Sequence, residues 1–288
     1  MVKSNKNYID IGERGRISKK NKLNSLTGKE WIKFTKSWFI HRPIRRNNKE
    51  ILHPAKFPES LVKEFIQFFT KENEWVLDPF LGSGSTLLAA GELNRNAVGI
   101  ELTRKFFKIA NDRVKEKNFK SKIYSLLGNS KKLSLLLKEK EPGKTKFDYV
   151  ITSPPYWNQL ERNNLRQKNR TDKGLATKYS LHKKDIGNEK DYNKFIEQQA
   201  EIFDEVYRYT KVGGYLTIIT NNVYYKSRLF PLAFDTATSL TKRGNKSWVL
   251  KDEKIWLQDD KPLIALGVNN AWVSNRHHQY CLIFRKEK

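Results

Sequence analysis

The sequence predicts an α/β fold, with a mostly parallel sheet covered on both faces by helices. Three observations predict it. Short apolar and β-branched runs alternate with segments of helical periodicity. A glycine-rich turn, Asp78-Pro79-Phe80-Leu81-Gly82-Ser83-Gly84, joins one such run to the helix after it. A later run, Tyr149-Val150-Ile151, stops at Thr152-Ser153-Pro154-Pro155-Tyr156. Strands buried on both faces read as continuous apolar runs, and intervening helices supply the crossovers that parallel pairing needs.

Residues 1–30 are rich in Lys, Arg, Asn, Ser and Gly and lack periodic apolar residues, which predicts a mobile basic arm at least as far as Leu23, ahead of one domain over 31–288. Trp31, Phe34, Trp38 and Phe39 then recur at helical spacing. Residues 59–70 carry Leu61, Val62, Phe65, Ile66, Phe68 and Phe69 just after Pro58, the pattern of an amphipathic helix with a proline near its start. A strand is expected at 75–77, a helix at 84–90, a strand at 97–100 and a helix at 104–117 with Phe106, Phe107, Ala110 and Val114 on one side. Strands follow at 122–127 and 147–151. Next come a helix over 195–210 closed by Gly213-Gly214, a strand at 215–220, a helix at 230–240 and strands at 248–256 and 279–284. Two stretches break the rhythm: 158–190, polar, basic and too long for an ordinary connection, and 257–277.

The 288 residues are 38% hydrophobic, enough for a real core, and carry a formal net charge of +25. Lys and Arg spread along the whole chain point to a densely negative partner, nucleic acid rather than a membrane surface. Charge by itself leaves a solvated lysine-rich surface as the alternative. The single cysteine, Cys281, excludes an intramolecular disulfide and a cysteine-based metal site, so the expected compartment is the cytoplasm. No apolar run reaches the ~18 residues of a membrane span, and the N-terminus does not read as a secretory signal, so a soluble protein is expected.

Gly82 and Gly84 let the backbone approach a ligand, and the helix that follows offers free N–H groups. Glu101 ends the next strand, where a carboxylate can accept hydrogen bonds from both hydroxyls of a ribose. The turn alone reads as tight strand–helix packing; together with the acid it predicts an adenosine-containing cofactor. It is not a phosphate-binding P-loop, because no Lys-Ser or Lys-Thr follows its second glycine, and it lacks the full G-x-G-x-x-G of a dinucleotide fold. In the Ser-Pro-Pro-Tyr run, proline has no N–H for a ladder, so the strand ends abruptly with unpaired carbonyls. A nucleobase turned out of its stack brings amino N–H donors to such acceptors, and Tyr156 offers a stacking surface. A plain proline turn is the other meaning of this run.

These residues resemble the S-adenosylmethionine-dependent DNA amino-methyltransferases, which act on N4 of cytosine or N6 of adenine. The D-P-F-x-G-S-G form of that family's cofactor motif is matched without a gap from Asp78 to Gly84, and the resemblance spans roughly residues 31–286. It implies a Rossmann-like methyltransferase fold: a seven-stranded, mostly parallel sheet whose last strand, 279–284, is antiparallel. The implied cofactor is S-adenosylmethionine, held by His53, Phe57, Pro58, Asp78, Pro79, Phe80, Gly82, Gly84, Ser85, Thr86, Glu101, Leu102 and Asn129. The segment 53–58 looks like the family's stretch over the methionine moiety, where His53 either touches the cofactor or simply enters a helix. Gly128-Asn129-Ser130 stands where the family usually has Gly-Asp facing the adenine ring, so Asn129 is a departure.

Ser153, Pro154, Pro155 and Tyr156 match the family's catalytic motif. Its first residue tracks the base, Ser with N4-cytosine and Asp or Asn with N6-adenine, so Ser153 favours cytosine with adenine as the second reading. The implied partner is double-stranded DNA, with a restriction endonuclease as a companion in function and no membrane or metal. Arg162, Arg166, Lys168 and Arg170, in the basic insertion at about 158–190, are expected to grip its phosphates. RNA methylation and nucleic-acid binding without catalysis stay open on charge.

The expected chemistry is direct transfer of a sulfonium methyl to an exocyclic nitrogen. Accepting the two N–H bonds at the Ser153 hydroxyl and the Pro154 carbonyl favours a more tetrahedral, nucleophilic nitrogen, while Tyr156 stacks on the base. C5-cytosine methylation needs a thiolate, and Cys281 reads as a small core residue of the last strand. Zinc-dependent deamination is disfavoured because its H-x-E and P-C-x-x-C ligands are absent, and the adjacent His277 and His278 do not make a metal site.

Overall fold

The computed structural model describes residues 8–10, 13, 16–42, 57–138, 146–157 and 185–288. In chain order its elements are β1 (Tyr8–Asp10), β2 (Arg16–Ser18), α1 (Gly28–Phe34), β3 (Trp38–Ile40), α2 (Glu59–Phe69), β4 (Trp75–Asp78), α3 (Ser85–Glu92), β5 (Asn96–Glu101), α4 (Arg104–Lys115), β6 (Ile123–Leu127), α5 (Leu133–Lys138), β7 (Phe147–Thr152), α6 (Tyr192–Tyr209), β8 (Thr210–Thr220), β9 (Val223–Tyr225), β10 (Arg228–Phe230), α7 (Leu232–Thr241), β11 (Val249–Leu257) and β12 (His278–Arg285). One sheet takes the order β3-β11-β12-β8-β7-β4-β5-β6. β12 is antiparallel to both its neighbours, and every other pair is parallel. This is the expected Rossmann-like α/β architecture with its antiparallel last strand, enlarged by one edge strand.

Strand alternation sorts the core onto two faces. Tyr149, Ile151, Ile219, Cys281 and Ile283 face α2, whose Leu61, Val62, Phe65, Ile66 and Phe69 are buried. Val150, Leu216, Ile218, Leu282 and Phe284 face the opposite way, against Phe195, Phe203 and Val206 of α6 and Leu232 and Leu240 of α7. Burying each such side chain contributes roughly 1.5–3 kcal/mol, which sets the rigid frame for the strand ends. Among the described residues no helix is long and apolar enough to cross a membrane.

Several local expectations are corrected. Of the four aromatics at helical spacing, only Trp31 and Phe34 lie on α1, where they meet Phe68 of α2 at ring distances of 4.8 and 4.0 Å. Trp38 and Phe39 belong to β3, the added edge strand, paired with Ile255 and Trp256. Gly213-Gly214 does not close a helix. The helix ends at Tyr209, and the glycines form a bulge inside β8, with Gly213 at φ 86° and the register jumping from Phe147↔Thr210 to Tyr149↔Tyr215. Phe230 ends a hairpin, β9–β10, rather than starting a helix; Lys226 and Ser227, both at positive φ, make its two-residue turn. Within the stretch expected as a mobile arm, Asn24 is buried and its amide donates to the Phe68 carbonyl at 2.6 Å, which fastens residues around it to α2.

Candidate active site

The strand order fixes where a ligand fits. β5 and β6 extend the sheet from one side of β4, and β7 and β8 from the other, so the chain changes direction between β4 and β7. The crevice at the carboxyl ends of such strands is the natural binding place of an open α/β sheet. A cleft opens there, lined by the turns after β4, β5, β6 and β7.

The turn after β4 is built around Asp78, which is fully buried and does not reach the cleft. Its carboxylate accepts from the Phe80 N–H at 3.0 Å, the Thr86 hydroxyl at 2.6 Å and the Thr152 hydroxyl at 2.6 Å. Asp78 therefore supports the site from behind, locking the glycine turn, the start of α3 and the last residue of β7 to one group. Gly84, at φ 90°, caps α3 and leaves only 3.0 Å between a Cβ built on it and the Cβ of Ala110, so both backbone and packing require glycine. Arg113 of α4 donates to the Ser83 carbonyl at 2.8 Å, and the Ser130 hydroxyl donates to the Pro79 carbonyl, which brace the same turn from two sides.

Burial pushes the Asp78 carboxyl up to about 6 from its ordinary 3.8, against the three donors that lower it. Folding thus favours the protonated form: the stabilisation is fully present below about pH 4 and is lost as pH rises through about 6. The loss is at most ~3 kcal/mol. Asp78→Asn, which cannot ionise, should gain stability relative to the parent by up to that amount between pH 4 and pH 7 in paired urea titrations. A difference independent of pH would contradict this assignment.

Glu101 lines the cleft and is 8% exposed. Its Oε2 accepts from the Gly82 N–H at 2.9 Å, and its Oε1 accepts from the Thr103 N–H at 2.8 Å and the Thr103 hydroxyl at 2.7 Å. Burial raises its pKa. A carboxylate has about four acceptor positions, so three are filled and Oε2 keeps one open. The sequence suggested two. Asn129, on the cleft wall, uses its Oδ1 to accept from the Lys131 N–H at 3.0 Å, capping a short 3-10 turn. The hydroxyls of Ser83 and Ser85, also on the cleft wall, are buried without a hydrogen-bond partner. Buried polar groups are rarely left so, and their place is what a polar ligand would satisfy.

On the β7 side, Ser153 and Pro155 line the cleft while Pro154 is buried. Tyr156 is only 7% exposed and is not on the cleft wall. Its hydroxyl donates to Gln279 Oε1 at 3.0 Å and lies 3.3 Å from the Ser153 hydroxyl. Burial pushes this phenol up to about 12. Cys281, two residues beyond Gln279, is fully buried with its thiol pushed up to about 12 by burial, the state of a core residue rather than a nucleophile.

Of the residues singled out in the sequence, Phe57, Pro79, Phe80, Gly82, Ser85, Glu101, Leu102, Asn129, Ser153 and Pro155 share this one cleft. Pro58, Asp78, Gly84, Thr86, Pro154 and Tyr156 stand behind it. His53, Arg162, Arg166, Lys168 and Arg170 lie outside the described residues. The cleft also contains Thr103, Asp185, Ile186 and Ile202, which were not anticipated, and Ser130 of the Gly128-Asn129-Ser130 stretch. Thr103 was legible as the cap of α4, since its side chain accepts from Phe106 N–H. Asp185 and Ile186 close the basic insertion and carry no local signal of a site.

A family model described as DNA methylase, named for N6 and N4 methylation, matches residues 2–112 and 147–288. The Type II methyltransferase M.BglI of Bacillus subtilis is 33% identical over 130 residues, which cover 41% of this chain and 37% of that protein. The Type II methyltransferase M.HindIII of Haemophilus influenzae is 51% identical over 62 residues, 22% of this chain and 20% of that protein. The matched segments thus span well under half the length of these relatives. Among solved structures, TrmN from Thermus thermophilus aligns with a TM-score of 0.48 at 12% identity, covering 79% of this chain and 48% of that chain. With the family model matched over most of its length, the chain belongs to the DNA methylase family.

Proposed function

We propose that this protein transfers a methyl group from S-adenosylmethionine to an exocyclic amino group in double-stranded DNA, with N4 of cytosine as the target. The observation that carries the reading is one shared cleft: Glu101, Gly82 and Asn129 line it together with Ser153 and Pro155, and the Thr152–Asp78–Thr86 hydrogen bonds tie its two halves together.

The residues fit the cofactor. Glu101 keeps one acceptor position for a ribose hydroxyl, Asn129 offers amide N–H groups to the ring nitrogens of an adenine, and Phe57 and Phe80 give apolar walls. The unpartnered Ser83 and Ser85 hydroxyls suit the polar end of an amino acid moiety. When bound, this cofactor supplies an activated sulfonium methyl. The chain's task is to hold the accepting nitrogen in line, and positioning of this kind is worth several kcal/mol. Ser153, on the opposite wall, accepts an N–H of that amine, with the Pro154 carbonyl as its second acceptor.

Described residues on either side of residues 158–184 line this cleft, Pro155 before them and Asp185 and Ile186 after them. Arg162, Arg166, Lys168 and Arg170 supply phosphate contacts in this reading, and neutralising all four should flatten the fall of DNA affinity with salt. The matched relatives carry the name Type II methyltransferase, which supports a role as the modification half of a restriction–modification pair. Labelled S-adenosylmethionine incubated with duplex DNA and with RNA, followed by nucleoside analysis, tests the whole reading. N4-methylcytosine in DNA is expected. N6-methyladenine would overturn the base, label in RNA alone the substrate, and no label the catalytic reading.

A further inference from the structure

The antiparallel strand β12 does more than complete the sheet. The parallel strands end at the cleft, so a strand running the other way begins there, and its first residues arrive where β7 and β8 deliver their last. Gln279, the second residue of β12, pairs with Trp256 on one side, and its neighbour Tyr280 pairs with Thr220 at the end of β8 on the other. From that position the Gln279 amide oxygen accepts from the Tyr156 hydroxyl at 3.0 Å, and the Tyr156 oxygen lies 3.3 Å from the Ser153 hydroxyl.

Counting protons along this chain gives it a direction. A phenol has one hydrogen, and an amide oxygen can only accept. With the Tyr156 proton given to Gln279, the contact between Tyr156 and Ser153 is a hydrogen bond only if Ser153 donates to the phenol oxygen. The Ser153 proton is then turned away, and its oxygen is left as an acceptor. The phenol keeps its proton across the ordinary pH range because burial pushes it up to about 12, so the direction holds.

We propose that Gln279 is a positioning residue which, through Tyr156, fixes the Ser153 hydroxyl as a hydrogen-bond acceptor for the amino group of the target base. The inference rests on the reading above that Ser153 meets that amine. It also gives Tyr156 a task that its buried position allows, the relay between two strands.

The test compares the parent, Gln279→Leu, Gln279→Glu, Tyr156→Phe and the Leu/Phe double variant, on a duplex carrying the site mapped in methylated DNA. Without an acceptor on β12 the Tyr156 proton turns to Ser153, so Gln279→Leu should lower kcat by about tenfold, the worth of one hydrogen bond. Cofactor affinity should stay unchanged. Gln279→Glu, which keeps an acceptor, should stay within a fewfold of the parent. The double variant should be no slower than the slower single one, because both changes cut the same chain.

The discriminating readout is binding of a duplex whose target amino group is replaced by hydrogen. The parent should favour the amino-bearing duplex by about tenfold, and Gln279→Leu should lose that preference. A purely structural role for Gln279 predicts additive losses and unchanged discrimination, and either result overturns the proposal. Should Gln279→Leu not fold, Gln279→Met makes the same test. A parent that transfers no methyl to DNA, or a Ser153→Ala variant as fast as the parent, defeats the underlying functional reading instead, and these controls separate the two failures.

Discussion

Ser153→Ala should lower the rate of methyl transfer by about 10²- to 10³-fold, the usual effect of removing one preorganised group from a reacting centre. Cofactor affinity by calorimetry should change less than about twofold, below the worth of a typical hydrogen bond. The separation follows from position: Ser153 lies on the wall built by β7, and the polar residues assigned to the cofactor lie at or after the ends of β4, β5 and β6. Ala also leaves the Tyr156–Gln279 hydrogen bond in place, so the buried phenol keeps a partner. Tyr156→Ala is a poorer probe. Truncating a buried aromatic costs about 3–5 kcal/mol of stability and confuses folding with chemistry. A Ser153→Ala enzyme that methylates at the parent rate would remove Ser153 from the mechanism.

Glu101→Ala should weaken S-adenosylmethionine binding by roughly 10- to 100-fold, as expected for losing a hydrogen bond to a charged acceptor worth about 1.5–3 kcal/mol. It also strips partners from the Gly82 N–H and from both donors of Thr103, so the glycine turn and the start of α4 loosen together. Glu101→Gln keeps one acceptor oxygen and should fall between the two. Calorimetry on folded variants decides it, and an Ala variant with parental affinity would move the ribose elsewhere in the cleft.

The misreadings have a common origin. Trp31, Phe34, Trp38 and Phe39 fit helical spacing, yet four positions over so short a span cannot exclude a helix followed by a strand. Gly213-Gly214 is an ordinary helix stop by composition. It became a strand bulge because the Gly213 N–H donates to the Lys286 carbonyl and the Lys286 N–H to the Gly214 carbonyl, partners far along the chain. Asp78 heads the cofactor motif, yet its carboxylate is held by side chains of two other elements, Thr86 of α3 and Thr152 at the end of β7.

The sequence by itself determined what local stereochemistry dictates. Gly82 and Gly84 take positive φ in a turn between strand and helix, the prolines after Thr152 stop β7, and the apolar rhythm from Trp75 to Phe284 builds a parallel sheet. Each depends on residues within one or two elements, where backbone sterics and side-chain period leave few choices. Only the tertiary structure decided which side chains meet across strands. Thr152 reaches Asp78 because β7 lies beside β4, and Tyr156 reaches Gln279, 123 residues away, because an antiparallel strand begins where its parallel neighbours end. Those contacts are set by strand order and register, long-range properties that no local spacing encodes.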